Sequence, residues 1–546
     1  MLSFARYEGG EVSMNGTAAR LEADKILAEL PDRISDVIKP FVRQSPDHPA
    51  LVQGNVTWTY AELAGFIADT ARILELYDIR PGDRVMIVSE NCLALVALIL
   101  AISEMDAWSV IVNPRLLARE VDLIRKQSGA RRVFYTIEVS EAARQHAERH
   151  DADIGALRGL GTLGIGQLNR ETVPEPVEVD RSRQVAALLY TSGTTGNPKG
   201  VMLTHRKLLF SARAAGSQRE PTDQVYCVLP ISHIVGFSAI LIASLMAGAT
   251  VQLVPRFDPA ALVAAIANGG VTLLFGVPAT YQRLLEYKAL SGIDRLPRGR
   301  LRRLAVAGAP LDLALKSRIE AELDLPLRNG YGITECAPSI AGVRGGDAPR
   351  DDDAVGSLVA GIEARLVGPD GGIVAPGEVG ELHVRGPNVM RGYYRAPERT
   401  AAVIDAEGWF NTGDLARFDG EILSIVGRTK ELIIRSGFNV YPAEGRSGIK
   451  RPSGGGPVGG DRALCPGQRG GRRLCRAVAR IGGNAGRSHG ASGAFTGALQ
   501  APFRDHRAGC AAGRFDRQNS QAPSGRCGSR SGHRCRRLTW KTEMPR

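Results

Sequence analysis

Residues Leu188 to His205 read LLYTSGTTGNPKGVMLTH: an apolar strand enters a loop of glycine, serine and threonine, and a lysine follows. Gly193, Gly196 and Gly200 have no Cβ, so the backbone can bend tightly and aim its N–H groups at phosphate oxygens. Thr191, Ser192, Thr194 and Thr195 add hydroxyl donors, and Lys199 adds one mobile positive charge. The stretch departs from the phosphate loop GxxxxGK[ST]. Pro198 precedes the lysine and Gly200 follows it, so the magnesium-binding hydroxyl of that pattern is missing, which disfavours a kinase or ATPase of that type.

Three further segments follow in order: YGITE at Tyr331–Glu335, NTGD at Asn411–Asp414 and GRTKE at Gly427–Glu431. With these four motifs the chain resembles the adenylate-forming superfamily of acyl-CoA synthetases, luciferases and peptide-synthetase adenylation domains. The resemblance runs from about Leu30 to Glu444. The stretch RSGFNVYPAE at Arg435–Glu444 is more similar to the acyl-CoA and aryl-CoA ligases than to the peptide synthetases.

The resemblance implies a carboxylate activated by ATP to an acyl-adenylate with loss of pyrophosphate, then acyl transfer to the thiol of coenzyme A. Such chemistry needs positioning and charge stabilisation rather than a covalent intermediate. No Ser/His/Asp or Cys/His constellation stands out to contradict that. By the same resemblance the segment 191–200 holds phosphates, Glu335 is the Mg2+ ligand, and Thr334 contacts the α-phosphate. Tyr331, with Gly332 beside it, offers a flat face to adenine, and Gly308 in AGAPL forms the opposite wall. Asp414, an acceptor when ionised, suits the ribose hydroxyls, and Arg428 donates to the same sugar. His233, in LPISHIVGF, matches a histidine near the α-phosphate that gates the acyl pocket, and Lys430 matches the hinge of a mobile C-terminal lid.

The 546 residues are enough for a large core and more than one domain, and 44% apolar with 5% aromatic residues is ordinary for an enzyme. Short Val/Leu/Ile-rich strands alternate with helical stretches, as in RVMIVS before CLALVALILAI and VTLLFGV before PATYQRLLEY. The expected class is therefore α/β, with helix-covered sheets. From about Val355 to Ile425 short strands broken by PDGG, PGE and FDGE predict a small β-rich unit. The resemblance adds the organisation: a multi-subdomain adenylate-forming domain over 20–427, and a hinge with the start of the lid over 428–444. The apolar run Phe237–Val254 reaches the length of a membrane span, but Ser238, Ser244, Gly248, Thr250 and Gln252 interrupt it, so a buried helix and a strand are expected. The N-terminal stretch lacks the apolar region of a secretory signal, Met14 is a second candidate start, and a cytoplasmic location is expected.

After Glu444 the composition breaks. Residues 445–546 contain 21 Lys+Arg against 4 Asp+Glu, so this tail carries +17, and the whole-chain charge of +12 leaves −5 for the rest. The tail also holds 21 glycines and the cysteines Cys465, Cys475, Cys510, Cys527 and Cys535, with few sustained apolar stretches, so it is expected to be disordered. A nucleic-acid arm of the RGG kind has few stacking residues here, and no CxxC pair supports a zinc site. Codon degeneracy offers a third reading. Taken one base later, codons permitted for Gly445–Arg462 spell VEAALNAHPAVVQSAVIG, which continues PAE as ligases of this family do. In the same frame, Phe515–Gln518 permits STGK and the following residues ILK. STGK is the family's motif around the lysine that enters the site for adenylation, so that lysine would fall at the position now written Gln518. The lid is thus expected to be disrupted by a frameshift near codon 445.

The expectation is an ATP-dependent carboxylic acid:CoA ligase with ATP, Mg2+ and coenzyme A, its activity impaired by loss of the lid. A small carboxylic acid and coenzyme A are the expected partners, with no specific nucleic acid and no membrane span. An acyl-adenylate former with another acceptor and an inactive nucleotide-binding remnant remain alternatives. The acid and the oligomeric state are not legible.

Overall fold

In the computed structural model two large sheets and a two-stranded one, Ile433–Arg435 with Phe438–Val440, share the described residues, which are 16–191, 198–343, 347–429, 433–435 and 438–440. Ser192, Gly193, Thr194, Thr195, Gly196, Lys430 and the whole tail 445–546 lie outside them.

The first sheet has eight strands. Its centre is parallel: Arg84–Val88 lies between Trp108–Val112 and Arg132–Tyr135, and Val185–Thr191 extends it beyond Trp108–Val112. These strands are mostly apolar and buried on both faces, as a covered parallel sheet requires. The helix Leu93–Glu104 is buried along nearly its whole length, as its uniformly apolar sequence requires. Thr59 starts the helix Tyr60–Leu76 with a reciprocal cap: its Oγ1 accepts from Glu62 N at 3.2 Å, and Glu62 Oε2 accepts from Thr59 N at 2.8 Å.

The second sheet has thirteen strands and changes character along its width. On one side Gln224–Cys227, Leu273–Gly276, Arg303–Val306 and Leu327–Gly332 are parallel. Leu327–Gly332 then pairs antiparallel with Ser339–Gly342, and the sheet continues antiparallel through Gly356–Leu358, Ile422–Arg428, Phe410–Asp419, Gly380–Arg385 and Glu363–Val367. The β-rich unit expected over 355–425 is present, and it is hydrogen-bonded into the larger sheet. Sheet ends at such a change of strand order or direction leave room for ligands.

The run 237–254 departs from expectation in detail. Val235–Ile242 is a π-helix, Ala243–Met246 one α turn, and Thr250–Leu253 the strand. A buried cation from an earlier segment braces the wider helix. Arg219 Nη2 donates to Ala239 O at 2.5 Å, and its Nη1 donates to Ile240 O at 3.1 Å and Ser244 Oγ at 3.0 Å. It thereby satisfies carbonyls that a wider helix leaves open. At its start Gly236 is required, since a Cβ there would meet Pro230 O at 2.2 Å. Among the described residues no helix is long and apolar enough to cross a membrane.

His205 begins the helix His205–Ala215 fully buried, its Nδ1 accepting from Ile34 N at 3.4 Å, and burial lowers its pKa from 6.5 to about 3. The unfolded chain therefore takes up a proton below about pH 6.5 that the folded chain refuses until about 3. Stability is complete above that window and falls on acidification by up to ~1.4 kcal/mol per pH unit. Denaturant titrations between pH 4.5 and 7 should show this slope, and a His205→Leu variant should lack that part of it; equal slopes would contradict the assignment.

Candidate active site

The glycine- and threonine-rich segment 191–200 is flanked by two paired strands. Val185–Thr191 runs antiparallel to Lys199–Thr204, with Thr191 opposite Lys199. Gly200 packs where a Cβ would lie 3.1 Å from the Tyr190 ring. Lys199 Nζ stands 4.7 Å from the centroid of the Tyr393 ring, within cation–π range.

Tyr393 connects that loop to the YGITE segment. Its hydroxyl donates to Glu335 Oε1 at 2.9 Å, and Met390 N donates to Glu335 O at 2.7 Å. Burial, followed by the Glu335 charge, pushes the phenol pKa upward, so Tyr393 stays a donor. The backbone around it is tied to the loop strand: Tyr394 N donates to Gly200 O at 2.8 Å, and Arg391 N to Met202 O at 3.0 Å. Sequence reading missed Tyr393. Its only signal was the aromatic pair in RGYYRAPE.

Tyr331 and Gly332 end the strand at which the large sheet turns antiparallel. A Cβ on Gly332 would meet Pro338 O at 2.2 Å, so the strand can fold back over 333–338 only with glycine there. Tyr331 donates its hydroxyl to Asp414 Oδ2 at 2.5 Å, and Arg428 Nε donates to Asp414 Oδ1 at 3.0 Å. Asp414 and Arg428 are register partners across neighbouring strands, which fixes that pair. Asp414 is only 4% exposed. Burial, then the Asp414 charge, holds the Tyr331 phenol well above its ordinary range. Thr334 and Glu335 follow in a 3-10 turn, both half-buried.

Gly308 lies just past the strand Arg303–Val306, which neighbours the Tyr331 strand with Val306 opposite Asn329. Its φ is +85°, and a Cβ would find only Val277 Cγ1 at 3.7 Å, so the space above it is open. His233 precedes the π-helix and is exposed as a whole residue, but desolvation of its ring lowers the imidazole pKa. Among the described residues it makes no hydrogen bond or ion pair with another candidate. The structure thus gathers Tyr331, Asp414 and Arg428 in one group, and Lys199 and Glu335 in another through Tyr393.

The donor set suits a hard cation held mainly by phosphate. Glu335 presents a half-buried carboxylate, and among the described residues no group of three or more His, Cys, Asp or Glu side chains forms a protein cage for a metal. A lone hard carboxylate of this kind could share magnesium with substrate phosphate oxygens.

Residues 38–394 match the AMP-binding enzyme family, and the chain belongs to it. Feruloyl-CoA synthase of an Amycolatopsis species is 36% identical over 74% of this chain and 80% of its own length. The rice 4-coumarate–CoA ligase 2 is 32% identical over 73% of this chain and 75% of its own. ATP-bound MatB from Rhodopseudomonas palustris superposes with a TM-score of 0.66 at 27% identity, covering 78% of this chain and 84% of that one. Within the family the chain falls among the acyl- and aryl-CoA ligases, the acid–thiol ligase class.

Proposed function

We propose that residues 20–427 form the adenylating body of an ATP-dependent carboxylic acid:CoA ligase. The observation that carries this is the buried Asp414 carboxylate, shared by Tyr331 and Arg428 where the large sheet changes direction. Asp414 accepts from the ribose hydroxyls, Arg428 donates to the sugar, and adenine lies between the Tyr331–Gly332 strand and the open face of Gly308. The hydroxyls and N–H groups of 191–200 hold the β- and γ-phosphates with Lys199, and Thr334 holds the α-phosphate. Glu335, oriented by Tyr393, holds Mg2+, which when bound offsets phosphate charge. The substrate carboxylate attacks the α-phosphorus beside His233, and the bond from that phosphorus to the bridging oxygen breaks, releasing pyrophosphate. The coenzyme A sulfur, having lost its proton, then attacks the acyl carbon and AMP leaves.

We further infer that residues 428–444 are the hinge and the start of the lid, with Lys430 at the pivot, and that 445–546 are translated out of frame. The two shifted stretches at 445–462 and 515–521 support this, since both need the same frame. The chain as written then binds ATP, adenylates slowly and makes little thioester. An acyl-adenylate former with another acceptor, or an inactive nucleotide-binding remnant, would share the same binding site. We place the chain in the cytoplasm, where ATP and coenzyme A are at hand.

Calorimetric titration of the chain with ATP should give saturable binding, and Asp414→Asn should weaken it about 10- to 100-fold through lost charge-assisted hydrogen bonds. Equal affinity in a folded variant would overturn the ribose assignment.

A further inference from the structure

Two adjoining clefts, of about 790 and 480 Å³, share Lys126 and Arg395 in their walls. The larger begins at Pro198, Lys199 and Tyr393, and the smaller continues past Arg125 to Arg84. None of their lining residues belongs to the Tyr331–Asp414–Arg428 group. Lys126 lies exposed on the helix Ala118–Ser128, and Arg399 lies exposed on the short helix Pro397–Ala401.

The acidic residues nearby do not balance these cations. Asp122 is already engaged by Arg149 and His150, each at 2.7 Å. Glu175 sits between Arg84 and Arg395, at 3.9 and 3.8 Å, and accepts from the Tyr394 hydroxyl at 2.5 Å. Only Glu171 and Glu398 remain on the walls. Among the described residues Arg125, Lys126 and Arg399 form no ion pair. A cleft whose walls carry an excess of positive charge concentrates anions and speeds their passage.

We propose that this basic cleft receives inorganic pyrophosphate as it leaves the Lys199 end of the site, giving the product a route separate from the nucleoside pocket. The assignment rests on the adenylation reading above. Phosphate chemistry would also suit the 3′-phosphate end of coenzyme A, so both are tested. Titrations of the full chain at low ionic strength use inorganic pyrophosphate, 3′,5′-ADP and AMP, with the parent and the double variant Lys126→Gln/Arg399→Gln, whose melting is compared first. Pyrophosphate affinity should fall about tenfold in the variant, and steeply with salt in the parent, while AMP affinity stays within twofold. Pyrophosphate affinity unchanged in the variant overturns the proposal, as does a loss confined to 3′,5′-ADP. If the parent binds AMP but not pyrophosphate, the cleft assignment alone fails; if it binds neither, the adenylation reading fails with it. Should the variant not fold, Lys126→Gln alone carries the same expectation at about threefold.

Discussion

Glu335→Gln in a frame-restored chain is expected to cut acyl-adenylate formation about 10²- to 10³-fold, with little change in AMP affinity. Glutamine keeps the volume and can still accept from the Tyr393 hydroxyl, which now lies 2.9 Å from Glu335 Oε1. It loses the negative charge that a hard cation needs, so the cost falls on the step in which phosphate charge must be stabilised. The measurement is carboxylate-dependent AMP formation at saturating ATP across a Mg2+ series. A variant as fast as its parent at every Mg2+ concentration would remove Glu335 from the metal's coordination. Tyr393→Phe supplies the contrast: it keeps the ring under Lys199, where the ammonium stands 4.7 Å from the centroid, and removes one hydrogen bond. A loss of about tenfold is expected, in the range of a single hydrogen bond to a charged group.

Returning the reading frame after codon 444 to the one that spells VEAALNAHP is expected to raise CoA-thioester formation at least ~10³-fold. A lid of this kind excludes water and delivers a lysine to the developing charge, and each of these contributions is large. On the proposed frameshift that lysine is written Gln518 in this chain, and glutamine carries no charge. The DNA itself gives an independent check. Sequencing from the source across codons 440 to 525 should reveal one base too many, or two too few, in the copy that encodes this chain. A clean, identical sequence would mean that the tail is a genuine product. The restored protein should also lose its strongly basic character, because the +17 of the tail outweighs the −5 of the remainder.

The grouping of Tyr331 with Asp414 and Arg428 was legible because the residues proposed for the nucleotide come in short segments. YGITE, NTGD and GRTKE each carry their functional atoms within a few residues, and strand register then brings Asp414 opposite Arg428. The alternation of apolar runs likewise exposed the strands at Arg84–Val88 and Leu273–Gly276 and the helices that follow them. What escaped depends on partners distant in sequence. Tyr393 matters through Glu335, 58 residues away, and no periodicity encodes that contact. The π-helix has Arg219, about 20 residues earlier, donating to the carbonyls of Ala239 and Ile240, a contact that no local pattern announces. The continuity of the β-rich unit with the large sheet depends on Ser339–Gly342 pairing with Gly356–Leu358, a register set by tertiary packing. The basic cleft, assembled from Lys126, Lys199, Arg395 and Arg399, is equally invisible in one dimension.

The most direct test compares the chain as written with its frame-restored form in a single turnover, supplying ATP, Mg2+, coenzyme A and a panel of aryl and aliphatic acids, and following AMP and thioester together. The account predicts that the restored protein converts at least one acid to equal amounts of AMP and thioester, while the chain as written binds ATP but yields only traces of either. Equal thioester formation by the two, or none by the restored protein with any acid although it binds ATP, would contradict it.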